Sequence, residues 1–144
     1  MKRPFRTYIR VGILPLSYLD NCIGVSYENR KKSAFKKYET FILDGVECRT
    51  KLSSERFFPF KESQICKKCG LKASFLAIER GDHDPSYHIN MYGVLPNGDE
   101  MLFTKDHITP RSKGGWNKKE NYQTMCSCCN SEKANNLEET IKCI

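Results

Sequence analysis

Polar and apolar residues alternate in short runs along this chain, and the runs predict strands more than helices. Tyr8-Ile9-Arg10-Val11 reads as a short strand. Thr40-Phe41-Ile42-Leu43 and Val46-Glu47-Cys48-Arg49 flank Asp44-Gly45, a dipeptide that accepts the positive φ angles of a tight hairpin turn. Lys72 to Glu79 is apolar and short, and fits a strand or a short helix. A second hairpin follows, with His88 to Leu95 and Glu100 to Asp106 joined through Pro96-Asn97-Gly98-Asp99. Thr109 to Gly115 is predicted as a loop, punctuated by Pro110 and Gly114-Gly115. Tyr122 to Met125 reads as a strand, and Asn130 to Asn136 as one or two helical turns starting after Cys129. Glu28 to Lys37 is polar and fits a helix or an open arm.

Length and composition narrow the picture. The 144 residues leave room for one domain with an arm or small subdomain. Hydrophobic residues at 39% and charged residues at 28% argue against a disordered chain. The apolar run Val11 to Leu16 contains Pro15 and is too short to cross a membrane. Arg10 interrupts any leader-like segment and no small-residue cleavage site follows, so an intracellular, cytoplasmic protein is expected, in host cytoplasm if phage-encoded.

Charge is distributed unevenly. Residues 1–38 hold nine basic residues, among them Lys2, Arg3, Arg6 and Arg10, against Asp20 and Glu28. That segment carries the whole net charge of +7, and residues 39–144 balance to zero. A basic arm on a neutral body suggests a polyanionic partner, with a plain solvated surface as the competing explanation.

Eight cysteines are many for this length. Cys66-Lys-Lys-Cys69 and Cys126-Ser-Cys-Cys129 are two C-x-x-C pairs separated by 56 residues. Each spacing lets one turn aim two thiolates at one ion, and four soft ligands suit tetrahedral structural Zn²⁺. Cys128 is a rival to Cys129 with poorer spacing from Cys126, while Cys22, Cys48 and Cys143 read as ordinary thiols. A secreted disulfide framework is the weaker alternative.

Between and after the cysteine pairs lie Asp106-His107-Ile-Thr-Pro-Arg-Ser-Lys-Gly-Gly, Asn121-Tyr-Gln-Thr-Met-Cys126 and Cys129-Asn130-Ser-Glu-Lys133. A histidine beside an aspartate at a strand end suits a general base next to a metal ligand, and an asparagine at a helix start can give a second oxygen ligand. With Cys66 and Cys69, this pattern over residues 66–133 resembles the HNH endonucleases, in the zinc-stapled branch common in phages and mobile elements. Arg56 to Glu79 is similar to the lead-in of such proteins, and residues 1–55 resemble nothing identifiable.

The resemblance implies an α+β fold, a ββα-metal core stapled by one four-cysteine zinc, with extra N-terminal strands and a basic arm. It divides the chain into a basic N-terminal region, 1–55, and a nuclease domain, 56–144. It implies His107 as general base, Asp106 and Asn130 as ligands of catalytic Mg²⁺ or Mn²⁺, and Asn121 as the residue that pins the loop and orients His107. Asn130 departs from relatives that carry histidine at this place, and a carboxamide favours hard ions over zinc. Arg111, Lys113 and Lys133 are implied phosphate contacts, with solvated surface charge as the alternative. The implied reaction is hydrolysis of DNA phosphodiester bonds to 5′-phosphate and 3′-hydroxyl ends, by a monomer or homodimer without a membrane partner. The competing class is a non-catalytic zinc module binding nucleic acid or protein, which has no need of Asp106, His107 and Asn130 in register. His83, between Asp82 and Asp84, reads as loop and His88 as an edge histidine. Trp116 reads as a cap on the small domain or as a base-stacking group.

Overall fold

The computed structural model describes residues 8–135. Lys2, Arg3 and Arg6 of the basic segment, and Asn136 and Cys143, lie outside the described residues. The strands are β1 (Tyr8–Leu14), β2 (Ile23–Gly24), β3 (Tyr38–Leu43), β4 (Val46–Lys51), β5 (Ser53–Ser54), β6 (Ala73–Gly81), β7 (Tyr87–Val94), β8 (Glu100–His107) and β9 (Tyr122–Cys126). The helices are α1 (Phe57–Glu62) and α2 (Ser127–Asn135). This is a mixed α/β chain whose main sheet is mostly antiparallel.

The two predicted hairpins form where the turn chemistry places them. Asp44 and Gly45 take φ of 50° and 77° between β3 and β4, and Gly98 takes 91° between β7 and β8. The Lys72–Glu79 segment is a strand, β6, because its alternate residues Leu76 and Ile78 are fully buried while β1 and β7 pair on either side. Two expectations change. Glu28–Lys37 is neither a helix nor an open arm but includes two single 3-10 turns, Tyr27–Asn29 and Ser33–Phe35. The last helix starts at Ser127, inside the second cysteine pair, three residues earlier than the sequence suggests.

β7 is the hub of the sheet. It pairs antiparallel with β6, parallel with the end of β4 at Thr50 and Lys51, and antiparallel with the start of β8 at residues 100–102. Five consecutive residues of β7, Ile89 to Gly93, are therefore buried, which explains its weak alternation. β8 changes partner midway. Its residues 103–107 leave β7 and pair with β9. The sheet runs across the 55/56 position, since β1 and β4 both hydrogen-bond to strands beyond it. Phe57 and Phe60 of α1, Leu76, Ile78, Ile89, Met91 and Phe103 make the core, and Cys66, Cys126 and Cys129 pack into the same cluster.

Arg10 is part of this frame and not of a projecting arm. Its Nε donates to Glu79 at 2.6 Å and its two terminal nitrogens donate to Glu100 at 3.0 and 2.8 Å. The guanidinium lies 4.7 Å from the Tyr92 ring centre and 5.3 Å from that of Phe75. Glu79 is 2% exposed and also accepts from Asn90 and the Tyr92 hydroxyl. A carboxylate this deep requires an opposite charge and satisfied lone pairs, and Arg10 supplies the charge.

Candidate active site and metal centre

The β8–β9 hairpin carries two chemically distinct sites, one at each end. At the Cys126 end, Phe103 pairs with Cys126, and at the other end His107 pairs with Tyr122. Four residue steps along the strand separate them, about 13 Å of chain.

The Cys126 end gathers sulfur. Cys66 and Cys69 sit on a tight knuckle in which Gly70 N–H donates to the Cys66 carbonyl at 3.0 Å, with Gly70 at a φ of 79°. Lys67 N–H donates to the Thr124 carbonyl at 3.0 Å, tying the knuckle to β9. Cys126 ends β9 and Cys129 lies in the first turn of α2, its N–H facing Cys126 Sγ at 3.4 Å. The four Sγ atoms all lie within 4.8 Å of one another, and Cys69 and Cys126 are 3.9 Å apart. Tetrahedral thiolate ligation at ~2.3 Å sets sulfurs ~3.8 Å apart, so the four cysteines are placed to bind a metal ion. The crowded thiols shift one another's protonation. A hydrogen bond from Cys126 lowers Cys66 to about 4, while its bond to Cys66 and burial push Cys126 upward. Burial and the Cys66 charge raise Cys129 to about 12. A bound cation relieves this repulsion by favouring all four thiolates. Cys128 lies outside the cluster, with its sulfur 3.8 Å from Glu132. Cys22 and Cys48 are buried thiols, as the sequence suggests.

The other end gathers oxygen and nitrogen. Thr104 and Asp106 share one face of β8 because side chains alternate along a strand. Helix α2 lies across that face. Asn130 Nδ2 donates to Thr104 Oγ1 at 2.9 Å, and Lys133 Nζ donates to Asp106 Oδ2 at 2.7 Å. Three helical residues advance ~4.5 Å and two strand residues ~6.6 Å, so the 130/133 and 104/106 pairs stay in register. Asp106 is 5% exposed, and its Oδ2 also accepts from Gln123 Nε2, its cross-strand neighbour, at 2.8 Å. Lys133 Nζ meets the His107 carbonyl at 2.6 Å and the Ile108 carbonyl at 3.3 Å as well. Three oxygens thus converge on one cationic point, a donor set that suits a hard cation.

His107 is half-buried and fixed on two sides. Its Nε2 lies 2.8 Å from Asn117 Oδ1, and its ring stands edge-to-face against Tyr122 at 5.3 Å and 88°. An amide oxygen facing Nε2 favours the tautomer with its hydrogen on that nitrogen. Tyr122 is held in turn, its hydroxyl donating to Glu55 Oε1 at 2.9 Å, where Lys105 Nζ also donates at 3.0 Å. Burial and the Glu55 bond raise the Tyr122 phenol above its ordinary range.

Asn121 closes the loop between β8 and β9. Its Oδ1 accepts from Thr109 N–H at 2.8 Å, and its Nδ2 donates to the Thr109 and Trp116 carbonyls at 3.0 and 2.9 Å. A Cβ at Gly115 would stand 1.8 Å from the Thr109 carbonyl oxygen, so only glycine fits that turn. Arg111 and Lys113 are exposed on a 3-10 turn of the same loop. Trp116 is 67% exposed with the Lys118 ammonium 5.1 Å from its ring centre, a placement that removes the reading of a core cap. His83 is exposed in the turn before β7, and His88 lies on β7 with Nε2 3.8 Å from Asp84.

Of the sequence candidates, Asp106, His107, Asn121 and Lys133 come together around the end of β8, while the Asn130 amide reaches Thr104. Asn117, Gln123 and Glu55 complete the site, and only Gln123 falls within the sequence pattern. Gln123 has a signal, two residues after Asn121 on the strand expected to pair with β8. Asn117 and Glu55 have none, since a polar residue in a loop or turn is unremarkable. Among the described residues the cysteine quartet is the one group of three or more His, Cys, Asp or Glu side chains placed to hold a metal. No helix there is long and apolar enough to cross a membrane.

No curated protein and no solved structure matches the chain. A family model does, described as HNH endonuclease and matching residues 97–142. The match covers β8, the Asn121-pinned loop, β9 and α2, so it falls on the oxygen site and on the second cysteine pair. At the level of the family this implies a nuclease with a nucleic-acid substrate. Over residues 97–142 the chain is therefore similar to the HNH endonucleases.

Proposed function

We propose that this protein is a metal-dependent endonuclease that hydrolyses phosphodiester bonds in DNA, with β8, β9 and α2 as its ββα-metal core. The observation that carries the reading is a buried carboxylate beside an imidazole whose Nε2 is held by an amide, on adjacent residues. Asp106 faces α2, and His107, held at Nε2 by Asn117, has Nδ1 available to take a proton from the attacking water. Tyr122 and Glu55 keep the ring in place, and Asn121 keeps the loop closed.

Asp106 and Asn130 are the residues that would hold Mg²⁺ or Mn²⁺, and the hard oxygens around Asp106 fit such an ion. A divalent ion there supplies charge to the scissile phosphate and the leaving 3′ oxygen. Arg111 and Lys113 extend a cationic rim toward the phosphate backbone, and the exposed Lys31, Lys32 and Lys36 add salt-dependent affinity. Cys66, Cys69, Cys126 and Cys129 would hold Zn²⁺, which would fix the hairpin against the knuckle and take no part in the chemistry. Residues 56–144 form the nuclease part and residues 1–55 its scaffold and DNA contact.

Plasmid nicking against Mg²⁺ and Mn²⁺ tests the proposal. The wild-type protein cuts, leaving 5′-phosphate and 3′-hydroxyl ends, while folded, zinc-loaded His107→Ala and Asp106→Ala do not. Full activity in folded His107→Ala sinks the mechanism.

A further inference from the structure

We propose that Lys133 is a displaceable internal counter-ion of the Asp106 site, so that divalent metal and nucleic-acid phosphate bind cooperatively. This rests on the reading of Asp106 as the metal ligand.

The geometry is that of an occupied cation site. The Lys133 ammonium has three N–H donors and three oxygen acceptors around it, Asp106 Oδ2 at 2.7 Å and the His107 and Ile108 carbonyls at 2.6 and 3.3 Å. Asp106 is nearly buried, and without an opposite charge its carboxylate would be strongly destabilised. Lysine answers that need with a compact point charge on a flexible stem. A phosphate contact, the role the sequence suggests for Lys133, is therefore not the role it fills in this arrangement.

A divalent ion at Asp106 competes for the same carboxylate. Oδ2 already accepts from Gln123 and Lys133. Gln123 is fixed opposite Asp106 by the β8–β9 register, whereas the Lys133 side chain is 24% exposed and has a route to solvent. The lysine is the group that yields. Once displaced, its ammonium stands beside the site in need of an anion, and a backbone phosphate is the anion a nuclease brings there. Metal binding then strengthens phosphate binding, and by linkage phosphate strengthens metal binding by the same factor. The carboxylate stays neutralised at rest, and the full metal affinity develops with substrate present.

The test measures Mn²⁺ binding by electron paramagnetic resonance of the unbound ion. It uses the zinc-loaded full chain in a His107→Ala background, which prevents cleavage and retains the residue-107 carbonyl. Without DNA, Lys133→Met binds Mn²⁺ about tenfold tighter than its parent, within the usual range of coupling between sites. A short duplex DNA tightens Mn²⁺ binding in the parent by a comparable factor more than it does in the variant, where only direct metal–phosphate contact remains. Equal or weaker Mn²⁺ binding by folded Lys133→Met overturns the proposal. If Lys133→Met loses its fold, Lys133→Gln replaces it, and DNA-independent Mn²⁺ affinity in the parent is by itself sufficient to overturn the proposal. Asp106→Asn separates the two readings. If it abolishes Mn²⁺ binding while Lys133→Met has no effect, the counter-ion fails and the metal site stands. If it changes nothing, Asp106 is not the ligand and both fail.

Discussion

The two ends of the β8–β9 hairpin solve the same problem, concentrated negative charge, in opposite ways. At the cysteine end four sulfurs lie within 4.8 Å of one another, three of them from buried core residues. At the aspartate end a single carboxylate is met by an ammonium from the chain itself. The first arrangement is placed to take up a metal ion. The second is already balanced, and can exchange one cation for another. The two ends therefore differ in what the chain itself supplies against their charge, as well as in the hardness of their donor atoms.

The largest expected effect lies at the cysteine end. Cys69→Ser or Cys126→Ser should release the metal and unfold the hairpin and knuckle, because thiolate–zinc binding contributes ~10–16 kcal/mol in small modules. Metal content with circular dichroism reads this, and Cys128→Ser should retain the ion. Loss of metal from Cys128→Ser with retention in Cys129→Ser would reverse the ligand assignment. At the aspartate end the mirror experiment should leave the fold alone. His107→Ala should lower the cleavage rate by ~10²–10⁴-fold at unchanged melting temperature, as expected for loss of a general base. A large fall in its melting temperature would show that the two ends are not separable.

Smaller changes sharpen the contrast. Asn121→Ala removes three hydrogen bonds from the β8–β9 loop and should slow cleavage by about an order of magnitude through misplaced loop groups, while metal content at the cysteines stays constant. Equal loss of metal and activity would tie the loop to the sulfur site. Glu55→Gln keeps an oxygen for the Tyr122 hydroxyl and loses the charge facing Lys105, so it should cost ~1 kcal/mol of stability in urea denaturation. No loss at all would leave Glu55 without a part in holding Tyr122.

The sequence exposes these two ends unequally. The cysteine quartet is legible because each C-x-x-C is a local signal and the ligand chemistry selects the four. Asp44-Gly45 and Asn97-Gly98 are legible for the same reason, since turn chemistry is written in adjacent residues. The parallel contact of β4 with β7 joins residues some 37 positions apart and has no local signature. The start of α2 is hidden because Ser127 and Cys128 look like loop, whereas the helix begins between the two cysteines of the second pair. Arg10 and Lys133 are hidden in the same manner. A cation on a strand or a polar helix resembles surface, and only the fold brings Glu79 to one and Asp106 to the other.

The change of partner within β8 sets a limit on modular engineering. The family match begins at residue 97, on the turn before β8, yet residues 100–102 of that strand are zipped to β7 and Glu100 is clamped by Arg10 from β1. Cys66 and Cys69 also lie outside the match. A graft of residues 97–142 into another scaffold would carry half a metal cluster, a strand with three unpaired backbone positions and a hairpin without its knuckle. The smallest transplantable cassette begins upstream of Cys66 and includes β6 and β7. The portion of the chain that identifies the family is therefore smaller than the portion that has to travel with it.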